Sequence, residues 1–153
     1  MTTADAGPPA PRVLYVAEPP AVWAQRPPVV ADCSVVAALV FAEPSCDEAA
    51  GMLSHKAVHA PALLPFEVAN VARTKLRAGA QPEQVANAVR DFAEQRIALH
   101  PVPPEAMLQL ALDYELSAYD AAYLWLAAEM KAPLATFDRK LAQAARGHLG
   151  GIE

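Results

Sequence analysis

Four acids stand where a short enzyme could do chemistry with them. Asp32 directly follows the β-branched run Val29-Val30-Ala31, and Asp138 directly follows Pro133-Leu134-Ala135-Thr136. Asp120 comes three residues after Ser117 and opens an apolar stretch through Tyr123-Leu124-Trp125-Leu126-Ala127. Glu67 is enclosed in Leu63-Leu64-Pro65-Phe66-Glu67-Val68-Ala69, where a charge must either reach solvent or face a polar partner. Each has a plain structural reading as well. Asp32 and Asp138 suit helix N-caps, worth about 1 kcal/mol each. Ser117 to Asp120 is a variant of the capping box, and Glu67 can project from the polar side of a helix. Convergence changes the argument, because several carboxylates in one crevice repel one another unless a divalent cation or a shifted protonation compensates. Oxygen-only ligands favour a hard ion, Mg²⁺ or Mn²⁺, over zinc. Ions of that kind activate water and neutralise charge on a phosphodiester during in-line displacement.

For these acids to meet, the chain between them must alternate strand and helix. Val29–Ala31 reads as a buried strand and Val35–Ala42 as a buried helix that Pro44 stops. Ser45–Lys56 reads as an amphipathic helix with Ala49, Met52 and Leu53 inward and a capping box from Ser45 to Glu48. A second strand covers Ala57–Ala60. Leu63–Arg77 carries Leu63, Leu64, Val68, Val71 and Leu76 at near-helical spacing, closed by Gly79. Pro82–Arg96 is a helix with Val85, Val89 and Phe92 on one face, and Ile97–His100 a strand. Helices follow at Glu105–Tyr114 and Asp120–Lys131, the second through the core, then a last strand, Pro133–Thr136, and a last helix, Arg139–Arg146. Short parallel strands separated by helices predict an α/β protein, a three-layer α/β/α sandwich around a mostly parallel sheet with right-handed crossovers. Strand ends, with Asp32 and Asp138 on them, then fall along one edge of that sheet.

Composition narrows the classes further. The chain has 153 residues, 54% hydrophobic and 19% charged, which fits one compact domain and excludes disorder along its whole length. Asp and Glu outnumber Lys and Arg 17 to 12, for a net charge of −5, which excludes a polyanion binder working through overall basic charge. Seven of the 15 prolines fall in residues 1–28, an expected Pro-rich N-terminal extension in which Val13–Val16 could pack as an arm or an edge strand. The domain proper is expected at 29–148, with a short tail at 149–153. Cys33 and Cys46 lack zinc, redox or disulfide-scaffold spacing and are expected as reduced thiols. His55, His59, His100 and His148 share no ligand spacing, and GxGxxG, Walker, GxSxG and HExxH motifs are missing. No apolar run reaches the roughly 18 residues of a membrane span, and the N-terminus does not read as a signal peptide, so a cytoplasmic address is expected.

Four segments in order carry a family resemblance over about residues 29 to 148. They are Val29-Val30-Ala31-Asp32-Cys33-Ser34, Glu67 ahead of Arg73-Thr74-Lys75-Leu76-Arg77, Leu116-Ser117-Ala118-Tyr119-Asp120-Ala121-Ala122-Tyr123-Leu124, and Leu134-Ala135-Thr136-Phe137-Asp138-Arg139-Lys140-Leu141. Their order and spacing resemble the PIN-domain ribonucleases, most closely the VapC-like toxins of bacterial type II toxin–antitoxin systems. The resemblance implies that Asp32, Glu67, Asp120 and Asp138 form an acidic quartet holding one or two Mg²⁺ or Mn²⁺ ions. Ser34 and Thr136 would support that site, and Arg73, Lys75, Arg77, Arg139 and Lys140 are candidates for RNA phosphate contacts. It implies a metal-dependent endoribonuclease, usually a homodimer, restrained by a cognate antitoxin whose tail fills the active-site groove. The Pro-rich extension departs from the pattern. Two other readings are a PIN-like scaffold that binds protein or RNA without cutting it, and a related nuclease or phosphatase acting on DNA or a small phosphoester.

Overall fold

In the computed structural model, residues 26–150 are described, so the expected arm at Val13–Val16, most of the N-terminal extension and the last residues of the tail lie outside them. Four strands form the sheet: β1 (Pro28–Ala31), β2 (Ala57–Pro61), β3 (Ile97–His100) and β4 (Leu134–Ala135). Their order is β3-β2-β1-β4 and every pairing is parallel. Seven helices connect and cover them: α1 (Cys33–Val40), α2 (Cys46–Leu53), α3 (Leu64–Arg77), α4 (Pro82–Glu94), α5 (Pro104–Tyr114), α6 (Ala118–Met130) and α7 (Arg139–Leu149). The expected three-layer α/β/α architecture is the observed one.

Alternation along β1 builds the two core layers. Successive strand side chains point to opposite faces, so Val29 packs with Val35, Ala38 and Ala49 of α1 and α2, whereas Val30 packs with Val68, Tyr123, Leu124 and Leu141. α6 is apolar nearly all round, with Ala121, Ala122, Tyr123, Leu124, Leu126 and Ala127 buried, and a helix of that composition belongs in the interior. Its small residues let it lie close to the sheet. Lys131, in the left-handed conformation at φ 49°, ends it and returns the chain to β4.

Local chemistry moves several boundaries from those expected. α1 begins at Cys33 rather than Val35, because Asp32 caps it by accepting the Val35 N–H. Ser45 makes no side-chain capping bond to α2, so the capping box expected from Ser45 to Glu48 is not formed. β4 is only two residues long, since Thr136 leaves the ladder to use its hydroxyl elsewhere. Leu76 and Val89, expected inward, are 44% and 38% exposed. Gly79, at φ 91°, closes α3 as expected, its N–H donating to the Leu76 carbonyl at 3.1 Å.

At the β2–β3 edge, His59 Nδ1 lies 2.9 Å from His100 Nε2. Burial and the neighbouring imidazole both push the His59 pKa below its ordinary value. The folded state therefore favours neutral His59, and this contribution is present above about pH 6.5 and lost as the pH falls through the lowered value. Thermal melts between pH 7.5 and 5 should show wild-type protein losing more melting temperature on acidification than His59→Gln. Equal losses would mean that the pair carries no linkage.

Candidate active site

The site is built outward from Asp32, whose residue is only 5% exposed and which is the buried charged residue among those described. Its carboxylate is held on both oxygens. Oδ1 accepts the Ser34 hydroxyl at 2.6 Å and the Val35 N–H at 3.2 Å, and Oδ2 accepts the Thr136 hydroxyl at 2.6 Å. The two hydroxyls also accept. Ser34 Oγ takes the Phe137 N–H and Thr136 Oγ1 the Asp138 N–H, each at 2.9 Å. One buried carboxylate thus ties the β1–α1 turn to the β4–α7 turn, and the Asp32 N–H donating to the Ala135 carbonyl at 3.1 Å completes the clasp.

The other acids sit around this clasp. Glu67 lies in the first turn of α3 and accepts the hydroxyl of Tyr123 from α6 on Oε2. Asp120 lies in the first turn of α6, where Ser117 Oγ accepts its N–H at 3.0 Å and donates to its Oδ2 at 2.7 Å, so the expected capping variant forms. Asp138 caps α7, its Oδ1 accepting the Leu141 N–H at 2.7 Å. Burial pushes the Asp32 pKa up in spite of its hydrogen bonds. Burial also raises Glu67, the Tyr123 hydroxyl opposes that rise, and the charges of Asp120 and Asp32 add to it. Three of the four expected acids therefore share one electrostatic environment, and Asp138 joins it through Thr136.

Among the described residues, no three His, Cys, Asp or Glu side chains are gathered into a ready-made ligand shell. The donor set nevertheless fits a hard divalent cation in its chemistry. All four donors are carboxylates, which match Mg²⁺ or Mn²⁺ better than softer metals. Glu67 Oε1, Asp120 Oδ1 and Asp138 Oδ2 make no hydrogen bond among the described residues. Burial raises Asp32 and Glu67, and a cation beside them would oppose that rise.

Tyr123 and Cys33 enter the site unexpectedly. Tyr123 reads in the sequence as one apolar residue of a core helix, and its hydroxyl was the available signal, since a buried phenol needs a partner. Burial, and after it the negative charge of Glu67, push its pKa up, so it stays a donor. Cys33 faces the same carboxylates and its thiol is pushed up to about 12, chiefly by burial, which leaves it a neutral thiol rather than a nucleophile. Both Cys33 and Cys46 are free, as expected.

The basic candidates are less concentrated. Arg73, Lys75 and Arg77 follow Glu67 along α3, and at 1.5 Å per residue Arg77 is about 15 Å further along the axis. Lys75 is paired with Glu43 at 2.7 Å and lies over the Phe41 ring, so it serves the α1–α3 packing. Arg73 and Arg77 are exposed. Arg139 and Lys140 open α7 beside Asp138, with the Lys140 ammonium donating to the Glu115 carbonyl.

Two substitutions separate the support from the charge. Thr136→Val leaves Asp32 Oδ2 and the Asp138 N–H without their partner and should cost about 1–3 kcal/mol in urea unfolding. Asp32→Asn removes a buried charge and should leave the metal-free protein equally stable or more so. A destabilised Asp32→Asn together with an unaffected Thr136→Val would contradict this account of the clasp.

Comparison with known proteins agrees with the architecture. No curated protein matches the chain significantly. The crystal structure of PAE2754 from Pyrobaculum aerophilum superposes with a TM-score of 0.64 at 21% identity, covering 80% of this chain and 82% of that one, which establishes a shared fold. No helix among the described residues is long and apolar enough to cross a membrane. Residues 29–147 match the PIN domain, a nuclease fold that is generally dependent on divalent metal ions. With that match spanning both turns of the Asp32 clasp and all four acids, the chain belongs to the PIN domain family.

Proposed function

We propose that this protein is a Mg²⁺- or Mn²⁺-dependent endoribonuclease and the toxin of a toxin–antitoxin pair, working in the cytoplasm. The observation that carries the reading is the buried Asp32 carboxylate set beside Glu67 and Asp120, an arrangement whose charge the fold leaves uncompensated. Structural ends alone would be met more cheaply by Asn or Ser at a cap. Asp32, Glu67, Asp120 and Asp138 would hold the cation. Such an ion, when bound, supplies charge neutralisation at the phosphodiester and a more acidic water.

The chain's own residues have distinct tasks in this reading. Ser34 and Thr136 fix the rotamer of Asp32 by bonding both its oxygens. Tyr123 pins Glu67 Oε2 and so orients the carboxylate, leaving Oε1 as the oxygen that would serve as a cation ligand. Arg73, Arg77 and Arg139 are available to flanking phosphates, whose contacts position a strand without reading its sequence. Lys75 and Lys140 stand behind them, since each already has a protein partner. Association with a second copy and with a cognate antitoxin belongs to the same reading. Leu108 and Leu112, 60% and 69% exposed and one turn apart on α5, offer apolar surface for it.

Purified protein incubated with total RNA and Mn²⁺ should produce discrete new 5′ ends on sequencing. Asp32→Asn and Asp120→Asn should abolish them, and Thr136→Val should reduce the rate about 10- to 100-fold, the usual effect of losing support behind a ligand. Cutting by fully chelated protein, or full activity in Asp32→Asn, would overturn the assignment. Calorimetric titration with Mn²⁺ that shows no binding at near-millimolar metal would favour a non-catalytic scaffold.

A further inference from the structure

Two large aromatic side chains flank the acids and are left in solvent. Phe66, beside Glu67 on α3, is 74% exposed, and Tyr119, beside Asp120 on α6, is 64% exposed. They are not on unrelated surfaces. Both line one cleft of about 550 Å³, together with Cys33, Glu67 and Asn70, over an apolar floor. The volume falls within the roughly 300–1,000 Å³ typical of small-molecule sites. Glu67 belongs to this cleft and to the acidic site at once, so the two are continuous.

The chemistry of the cleft favours one occupant. It has aromatic faces on two different helices, a carboxylate and a carboxamide at its margin, and no Lys or Arg in its lining, so it does not suit a second phosphate. A nucleobase matches it: a flat, uncharged ring with faces to stack and edge groups that the Asn70 carboxamide can hydrogen-bond. Because Glu67 lines the cleft, a base attached to the scissile nucleotide has a site next to the acids, whereas bases inside a duplex are stacked and cannot enter.

We propose that Phe66 and Tyr119 form a base-stacking subsite for a nucleotide next to the cleaved phosphodiester. This rests on the ribonuclease reading and adds to it the side chains that hold the base beside the cut. Phe66 and Tyr119 act as specificity-determining residues, and the four acids do the cutting.

The test uses the full chain with Mn²⁺ and a short oligoribonucleotide containing a mapped cut site. Phe66→Ala and Tyr119→Ala should raise KM roughly 5- to 150-fold, the range expected for losing one stacked base, with kcat within about twofold. Tyr119→Phe, which keeps the ring, should retain the wild-type KM. The same oligonucleotide annealed to its complement should resist cleavage. Replacing the nucleotide beside the cut with an abasic one should weaken the wild type at least as much as either alanine substitution does, and the double variant Phe66→Ala/Tyr119→Ala no further. Unchanged KM in both alanine variants, or equal cutting of the duplex, would overturn the subsite while the ribonuclease assignment stood. A changed sedimentation coefficient in Phe66→Ala with unchanged KM would assign the cleft to a second copy instead. Absence of any RNA cleavage by wild-type protein would overturn the ribonuclease reading, and the subsite with it.

Discussion

A single buried carboxylate organises this end of the molecule. Asp32 accepts from Ser34, Val35 and Thr136, and the same two hydroxyls accept the N–H groups of Phe137 and Asp138. Every polar atom in the clasp therefore has a partner, and among the described residues no buried side-chain nitrogen or oxygen is left without one. Because β4 has only two residues, ladder hydrogen bonds alone hold it weakly, and the clasp does much of the work of keeping β4 and α7 in register with β1. The fold and the chemistry are in this sense one construction: the bonds that seat Asp138 are those that orient Asp32.

That construction explains how the acids can be helix caps and still form a site. A cap uses one oxygen, as at Asp138 Oδ1, and leaves the other for a ligand. Asp120 spends Oδ2 on Ser117 and keeps Oδ1. Glu67 is anchored by Tyr123 of α6, so its orientation depends on a second helix as well as on its own. The cost falls on stability, since burial raises the pKa values of Asp32 and Glu67, with the neighbouring acids adding to the rise at Glu67. A fold selected only for stability would replace them. The net charge of −5 has the same origin in part, since the four acids account for as many as four of those charges. In the proposed reading that acidity belongs to a cation site rather than to a surface that turns RNA away.

Much of this was legible in the chain. The strand sites, the seven helices and the parallel α/β class follow from β-branched runs, apolar periodicity and Pro and Gly punctuation, which are local signals. Asp32, Asp120 and Asp138 were recognisable because each stands at a strand end or helix start, whereas Ser34 and Thr136 were implied only by the family resemblance of the segments that contain them. Tyr123 was hidden, since nothing local distinguishes a tyrosine that packs from one whose hydroxyl crosses to another helix. The Ser45 capping box was a local signal that the structure does not use, and Leu76 and Val89 followed a helical period yet stayed exposed, because the helix faces are set by what packs on them.

What the sequence alone determined is the inventory: which residues are acidic, which elements they begin or end, and that those elements form a parallel sheet covered by helices. Periodicity and capping act over a few residues, so they can be read without knowing the fold. Only the tertiary structure decided which acids meet. The strand order β3-β2-β1-β4 sets the first and last strands side by side, bringing Asp32 within a hydrogen bond of Thr136 across 104 residues of chain. The seating of α6 on β1 and β2 brings Tyr123 to Glu67 across 56 residues, and Phe66 and Tyr119 come to line one cleft. Such contacts depend on loop closure and side-chain packing over the whole domain, and no local pattern encodes them.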